Sequence, residues 1–278
     1  MPLVIVFFGI LFLFLLITLF KFNGFISFIL VAIGIGIAQG MQLNHIVDSI
    51  ENGIGNTLGF LVMILGFGAM LGKLVAESGA AQQITNGLIK IFGINYTKIA
   101  VMLTGFIVGI TMFYSVGFVI LVPLVFTIAK ATGLSLIGVG LPMLASLSVT
   151  HGFLPPHPAP SALSVMFEAD IGKTLIYGIL LSIPAILISG PLLTHFLPKV
   201  EAEPLKEFMT TKVFKQDELP SLFNSLSTAL LPVLLIGFST LISFLIQEES
   251  ILSKCINFIG NPVIALLLTL LLATYSLG

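Results

Sequence analysis

The longest stretches of this chain carry no charge at all. Between Lys98 and Lys130 lie 31 residues without an Asp, Glu, Lys or Arg, and there is none between Lys130 and Glu168 either. Soluble domains average about 25% charged residues; this chain of 278 has 8%, with 57% hydrophobic residues and a mean hydropathy of +1.18. Backbone polar groups in hydrocarbon must bond within their own segment, so the expectation is an all-α polytopic membrane protein with spans of roughly 20 residues.

Ionisable residues then mark where one span ends and the next begins. Spans are expected at about 3–20 and 25–39, joined by the turn Lys21-Phe22-Asn23-Gly24. Met1 to Phe20 lacks the basic start and small-residue cleavage pattern of a signal peptide and reads as a retained first span. Residues 43–56, with Asp48 and Glu51 among apolar neighbours, suggest a connecting amphipathic helix. Residues 58–75 hold Gly59, Gly66, Gly68 and Gly72, which suits either a closely packed span or a re-entrant hairpin. Ala80 to Phe92 gathers Ile84, Leu88, Ile91 and Phe92 on one face and reads as an interfacial helix.

Residues 99–129 exceed one span. Gly105, Gly109, Thr111, Tyr114, Ser115 and Gly117 cluster at their middle, with Pro123 beyond, so a helix broken near Thr111 to Gly117 fits better than a single tilted one. Spans at 134–149 and 174–197 follow, the second kinked by Pro184 and Pro191. Residues 198–221 form the one strongly polar linker, which divides the first transmembrane region, 1–197, from a second, 222–278, with further spans at 222–246 and 262–278. By the positive-inside rule the amino terminus lies outside if 58–75 crosses once. The chain stops inside an apolar segment, Leu272 to Gly278, so a fragment or truncated reading frame is expected.

One stretch interrupts this apolar pattern with titratable chemistry. Thr150-His151-Gly152-Phe153-Leu154-Pro155-Pro156-His157-Pro158-Ala159-Pro160 packs four prolines and two of the four histidines into eleven residues. Proline removes backbone donors and clashes with the preceding turn, so a helix arriving through Leu141 to Val149 must end or unwind here. Ser161 to Phe167 and the charged Glu168, Asp170 and Lys173 then read as a solvated connection.

Several function classes find no support. The net charge is −1, every one of the 11 basic residues is Lys and no long run of like charge occurs, which argues against a nucleic-acid partner. Cys255 stands alone, so no intrachain disulfide framework exists. There is no His-Glu-x-x-His or Gly-x-Ser-x-Gly motif and no carboxylate pair within a span, so neither an enzyme nor a cofactor is expected. His151 and His157 are six apart with prolines between, not the spacing of a metal pair, and no metal is expected. Asn95-Tyr96-Thr97 is a common, weak glycosylation pattern, and His45 and His195 sit near span ends as interfacial residues.

Transport explains more. Broken helices near the membrane midplane present half-helix N-termini to anionic groups and free carbonyls to cations or hydroxyls. With no Arg in the chain and no Lys deep in a span, a carboxylate would be held by backbone amides, Ser/Thr hydroxyls and a protonated histidine. Histidine titrates near neutrality, which makes His151 and His157 the proton-coupling candidates; the alternative for each is a hydrogen-bonded structural residue at a helix end.

The proline–histidine string, taken with Gly66-Phe67-Gly68-Ala69-Met70-Leu71-Gly72-Lys73 and with Val116-Gly117-Phe118-Val119 before Pro123-Leu124-Val125-Phe126, closely resembles the gluconate permease family of proton symporters. The match runs along the whole chain from Met1-Pro2-Leu3-Val4-Ile5-Val6. The resemblance implies proton-driven uptake of gluconate or a related sugar acid at a bacterial inner membrane. It also implies a transporter-type bundle like those built from two inverted repeats, each with a re-entrant hairpin and a broken helix. On that analogy 58–75 is the hairpin, 99–129 the broken helix and His151 to Pro160 part of the same site, so the chain would hold the first repeat and the start of the second. Substrate-lining candidates are Thr111, Tyr114, Ser115, His151, His157 and Ser161. The expected partners are a gluconate-like anion, protons and the lipid bilayer, with a homo-oligomer left open. Two departures stand out: family members generally continue well beyond Gly278, and many carry an acidic residue in the Phe-Tyr-x-Val-Gly-Phe motif, where this chain has Ser115. The alternatives are a truncated, non-transporting membrane remnant or interaction protein, and a passive channel.

Overall fold

The computed structural model describes residues 1–197, 214–246 and 250–277, and the regular structure among them is helical, with no strand. Six of the described helices are long and apolar enough to cross a membrane, and a seventh span exists if a bent pair near the end is counted as one. The described chain is therefore an all-α polytopic membrane protein. It divides into two units, Met1–Phe60 and Leu61–Gly278.

In the first unit, α1 (Pro2–Thr18) packs on α2 (Gly24–Ala38), and α3 (Leu43–Glu77) begins. Asn23 caps α2 by accepting the Phe25 N–H at 2.9 Å. Glycine allows the close approach here: a Cβ on Gly36 would stand 2.8 Å from Ile46 Cγ1, and one on Gly9 2.7 Å from Ile35 Cγ1.

The 58–75 segment is no hairpin. It is part of α3, a continuous helix of 35 residues that also absorbs the amphipathic 43–56 stretch expected to be separate. No proline interrupts it, and a chain in hydrocarbon keeps its i→i−4 bonds unless protein covers the alternative. Its glycines serve packing, and only some of them. Gly68 and Gly72 abut Phe113, Thr111 and Met112, whereas a Cβ on Gly59 or Gly66 would meet nothing within 4 Å.

The second unit is built around α5 (Thr97–Thr111) and α7 (Leu136–Phe153), the most extensively packed pair of helices. Gly105 lies against the Met143 backbone and Gly109 against Thr150 and Leu147, so residues four apart on α5 open a groove into which one face of α7 sinks. Sequence reading had assigned these glycines to the break; they are interface residues one and two turns before it. α4 (Ala80–Phe92) packs on α5 and α11 (Leu222–Leu245) and buries Ile84 and Leu88, so its apolar stripe faces protein more than an interface with lipid. Ile91, at its end, remains exposed.

The helix through 99–129 is interrupted at Met112 and Phe113 alone, both extended, and α6 (Tyr114–Thr132) takes up Ser115 and Gly117 at once. α7 does not stop at Val149. It runs through His151 to Phe153 and yields only at Leu154, the residue before Pro155, where the proline ring disfavours helical geometry. Nor is 161–167 a solvated connection: α8 (Pro158–Met166) forms there, because Pro158 and Pro160 occupy its first turn, where a missing N–H costs nothing. α9 (Ile171–Leu187), capped by Asp170, continues through a wider turn at Ile188–Leu192 containing Pro191 into α10 (Leu193–Phe196). That widened turn accommodates the proline.

Residues 198–213 of the expected polar linker lie outside the described residues. Its remaining part, 214–221, docks on α4, where Gln82 donates from Nε2 to the Phe214 carbonyl at 2.8 Å and accepts the Phe214 N–H on Oε1 at 3.0 Å. Beyond α11, α12 (Ile251–Ile259) and α13 (Pro262–Ser276) meet at a 69° bend, so the broken element near the end precedes the span expected from residue 262.

The α5–α7 seam makes a paired prediction. Gly105→Val pushes side-chain atoms into the Met143 backbone, which cannot retreat like a flexible side chain, and is expected to destabilise by about 3 kcal/mol or more. Gly66→Ala, in open space on a helix, is expected to stabilise by about 0.5–1 kcal/mol. Thermal unfolding of the detergent-solubilised protein checks both; equal melting temperatures for the two variants would refute the assignment of the seam.

Candidate functional site

Two helix interruptions lie side by side in the second unit. The first is Met112–Phe113, between α5 and α6. The second is Leu154–His157, between α7 and α8. One hydrogen bond joins them: His157 Nε2 stands 2.6 Å from the Gly109 carbonyl oxygen. A carbonyl only accepts, so Nε2 carries the proton and donates. This fixes the tautomer by chemistry, and it supplies a partner to a carbonyl in the last turn of α5 that the helix itself leaves unpaired.

The bond organises what surrounds it. The His157 side chain is almost wholly buried, its relative exposure 4%. The ring of His151, in the last turn of α7, lies 4.7 Å from that of His157, centroid to centroid. Phe113, in the first interruption, stands edge-on to His151 at 6.1 Å and tilted against His157 at 6.4 Å. From α3, Gly68 and Gly72 let the backbone at Thr111 and Met112 approach, with the Thr111 carbonyl 3.3 Å from where a Gly72 Cβ would stand. Beneath lies an apolar base of Ile110, Leu154, Leu175, Ile236 and Ala265.

The six lining candidates fare differently. His151 and His157 are brought into ring contact, although they are six apart in sequence with prolines between and beyond them; the irregular backbone at Leu154–His157 does this, where an unbroken helix would not. Ser161 sits one turn into α8 from His157, its N–H bonded to the His157 carbonyl at 3.1 Å and its side chain fully buried. Thr111 is at the interruption, but its hydroxyl donates back to the Val108 carbonyl at 3.2 Å. Tyr114 stacks on Phe118 at 6.1 Å, and Ser115 is exposed in the first turn of α6.

Unspent polar groups show what this arrangement can do. In α6 the first intrahelical bond is donated by Gly117, to Phe113, which leaves the N–H groups of Tyr114, Ser115 and Val116 without helix acceptors at its positive end. His151 Nδ1 and Ser161 Oγ are buried without a hydrogen-bond partner. Among the described residues no group of three or more His, Cys, Asp or Glu side chains gathers as metal ligands would. Sequence reading missed Phe113, although it lies between two named candidates, and missed the Gly109 carbonyl; a backbone acceptor leaves no residue-type signature.

The model of the GntP family permeases matches residues 1–278. An L-idonate transporter of the Gnt-II system from Escherichia coli is 45% identical over 278 residues, covering 100% of this chain and 63% of the transporter. A high-affinity gluconate transporter from the same organism is also 45% identical, covering 100% of this chain and 64% of its own length. A gluconate permease of Bacillus subtilis is 43% identical over 289 residues, with coverage of 100% and 64%. The chain thus spans a little under two thirds of the length of these relatives. No solved structure matches it.

The His157 bond can be tested apart from any ligand. His157→Leu strands the Gly109 carbonyl and is expected to cost about 1–3 kcal/mol of stability. His157→Gln places a donor at the reach of Nε2 and is expected to recover at least half of that loss. Thermal unfolding of both variants provides the check; a Gln variant as unstable as the Leu variant would break the assignment.

Proposed function

The chain belongs to the GntP family of permeases, and on that footing we propose that it serves proton-coupled uptake of gluconate or a related sugar acid across a bacterial inner membrane. The observation that carries the reading is the pairing of the two helix interruptions through His157 and Gly109, which gathers unspent amide hydrogens, an imidazole nitrogen and a buried hydroxyl between apolar spans. Names of the matched relatives, an idonate transporter and gluconate permeases, support the sugar-acid class.

The carboxylate is assigned to the start of α6, where the Tyr114, Ser115 and Val116 N–H groups and the helix dipole favour an anion in a stretch that holds no Lys or Arg between Lys98 and Lys130. Thr111 contributes its backbone carbonyl rather than its committed hydroxyl, and Tyr114 the wall of the site. The proton is assigned to the His151–His157 pair. His157 donates through Nε2, which leaves its own Nδ1 and the ring of His151 to take up the proton. An exposed hydroxyl at Ser115 adds no charge to repel a carboxylate from the α6 amides. Oligomeric assembly is compatible with this reading and plays no part in it.

Uptake of labelled gluconate by cells that lack gluconate transport of their own and express the protein tests the proposal. Saturable accumulation that a protonophore abolishes is expected. Uptake that neither saturates nor responds to the protonophore would favour a passive channel, and no uptake from a normally abundant protein would favour a non-transporting membrane component.

A further inference from the structure

Buried hydroxyls around the two interruptions nearly all bond back into their own helices. Thr104, Thr111, Ser146, Thr150 and Ser164 each donate to a carbonyl three or four residues earlier, at 2.8–3.2 Å. Ser161 does not, although its side chain is fully buried and Ser164 on the same helix does. In the apolar interior such a hydroxyl loses about 1–3 kcal/mol unless something bonds to it. Among the described residues, another buried atom in the same condition is His151 Nδ1. The two flank His157: the His151 ring lies 4.7 Å from the His157 ring, and Ser161 is bonded through its N–H to the His157 carbonyl. His157 cannot serve as their partner through Nε2, since that atom donates to Gly109.

Resting on the transport reading above, we infer that His151 Nδ1 and Ser161 Oγ form a subsite that reads a hydroxyl group of the substrate, and that His157 is a positioning residue that holds both in place. The chemistry of the two atoms selects the ligand group. Neutral His151 with its proton on Nε2 accepts at Nδ1; with a proton on Nδ1 it donates. The serine hydroxyl likewise gives or takes. A ligand hydroxyl is the complementary group, because it donates to one atom and accepts from the other in either state. A carboxylate only accepts, so it fails Nδ1 whenever His151 is neutral with its proton on Nε2, whereas a hydroxyl serves Nδ1 in either state. The carboxylate is better held by the α6 amides. An apolar group would satisfy neither atom. The subsite therefore demands an acid that carries a hydroxyl at this point, and rejects an acid of equal size lacking it, because the analogue would leave two buried polar atoms unpaired.

The test crosses substrate truncation with side-chain truncation, using the full-length protein in cells without gluconate uptake of their own. Half-saturation is measured for gluconate and for each of its monodeoxy analogues with wild type, Ser161→Ala, His151→Leu and His151→Asn, at matched membrane abundance. Wild type is expected to penalise at least one analogue by about tenfold relative to gluconate. Ser161→Ala should weaken gluconate about five- to tenfold and leave that analogue unchanged; His151→Leu, which also removes a proton acceptor, should lower the maximal rate for both but shift half-saturation for gluconate only, so in both variants the discrimination disappears. His151→Asn, which keeps a polar atom where Nδ1 stands, should recover part of it. Variants that weaken gluconate and all analogues alike, variants that weaken nothing, or a wild type indifferent to every deoxy position would each overturn the subsite while leaving the transport reading intact. Absence of wild-type uptake would overturn both.

Discussion

A backbone carbonyl inside a membrane protein has to be bonded to something, and at Gly109 the helix no longer does it. α5 stops two residues later, so its last carbonyls lose the donors that a continued helix would supply. His157 takes over that task from a different segment of the chain. Much else follows from the bond. It sets the distance between the two interruptions, fixes which nitrogen of His157 bears hydrogen, and presents His151 and Phe113 to a common centre. A broken helix is stable in hydrocarbon only when a neighbour is placed to meet the freed groups, so the two interruptions are conditions for each other.

That placement depends on close backbone contact. Gly105 and Gly109 let α7 sink onto α5, bringing Thr150 and then His151 level with the end of α5. On the other side Gly68 and Gly72 let α3 meet Thr111, Met112 and Phe113. Small residues thus do on two faces what hydrophobic burial does in water: they maximise dispersion contact where no hydrophobic drive between helices exists. The same glycines explain why the interruption is two residues long. Packed from both sides, the chain has room to depart from the helix only at Met112 and Phe113.

The membrane class and the broken helix near Tyr114 could be read in the sequence, because charge-free length and central clustering of small residues report directly on backbone environment. The α3 helix could not. Glycines suit a hairpin and a tight seam equally, and only their neighbours, Phe113 and Met112 for Gly68 and Gly72 but nothing for Gly59, tell the uses apart. Proline was weighted too broadly: Pro155 halts α7 at its immediate predecessor and no earlier, which is why His151 is helical, while Pro158 and Pro160 begin a helix instead of preventing one. The histidines were recognised as chemistry-bearing, yet linear spacing put them apart. The irregular segment Leu154–His157 between α7 and α8 sets their rings together, a relation that no periodicity encodes.

The prolines at the start of α8 have one more consequence. Its first intrahelical donor is Ser161, so the positions ahead of it would ordinarily offer three amide hydrogens; Pro158 and Pro160 have none, and only Ala159 retains one. The start of α6 keeps all three of its own. Two helix origins of similar dipole therefore meet the same region with very different capacity to solvate negative charge. The prolines make α8 a helix that is electrically present but chemically mute, so of the two helix starts only that of α6 offers a row of amide hydrogens to negative charge.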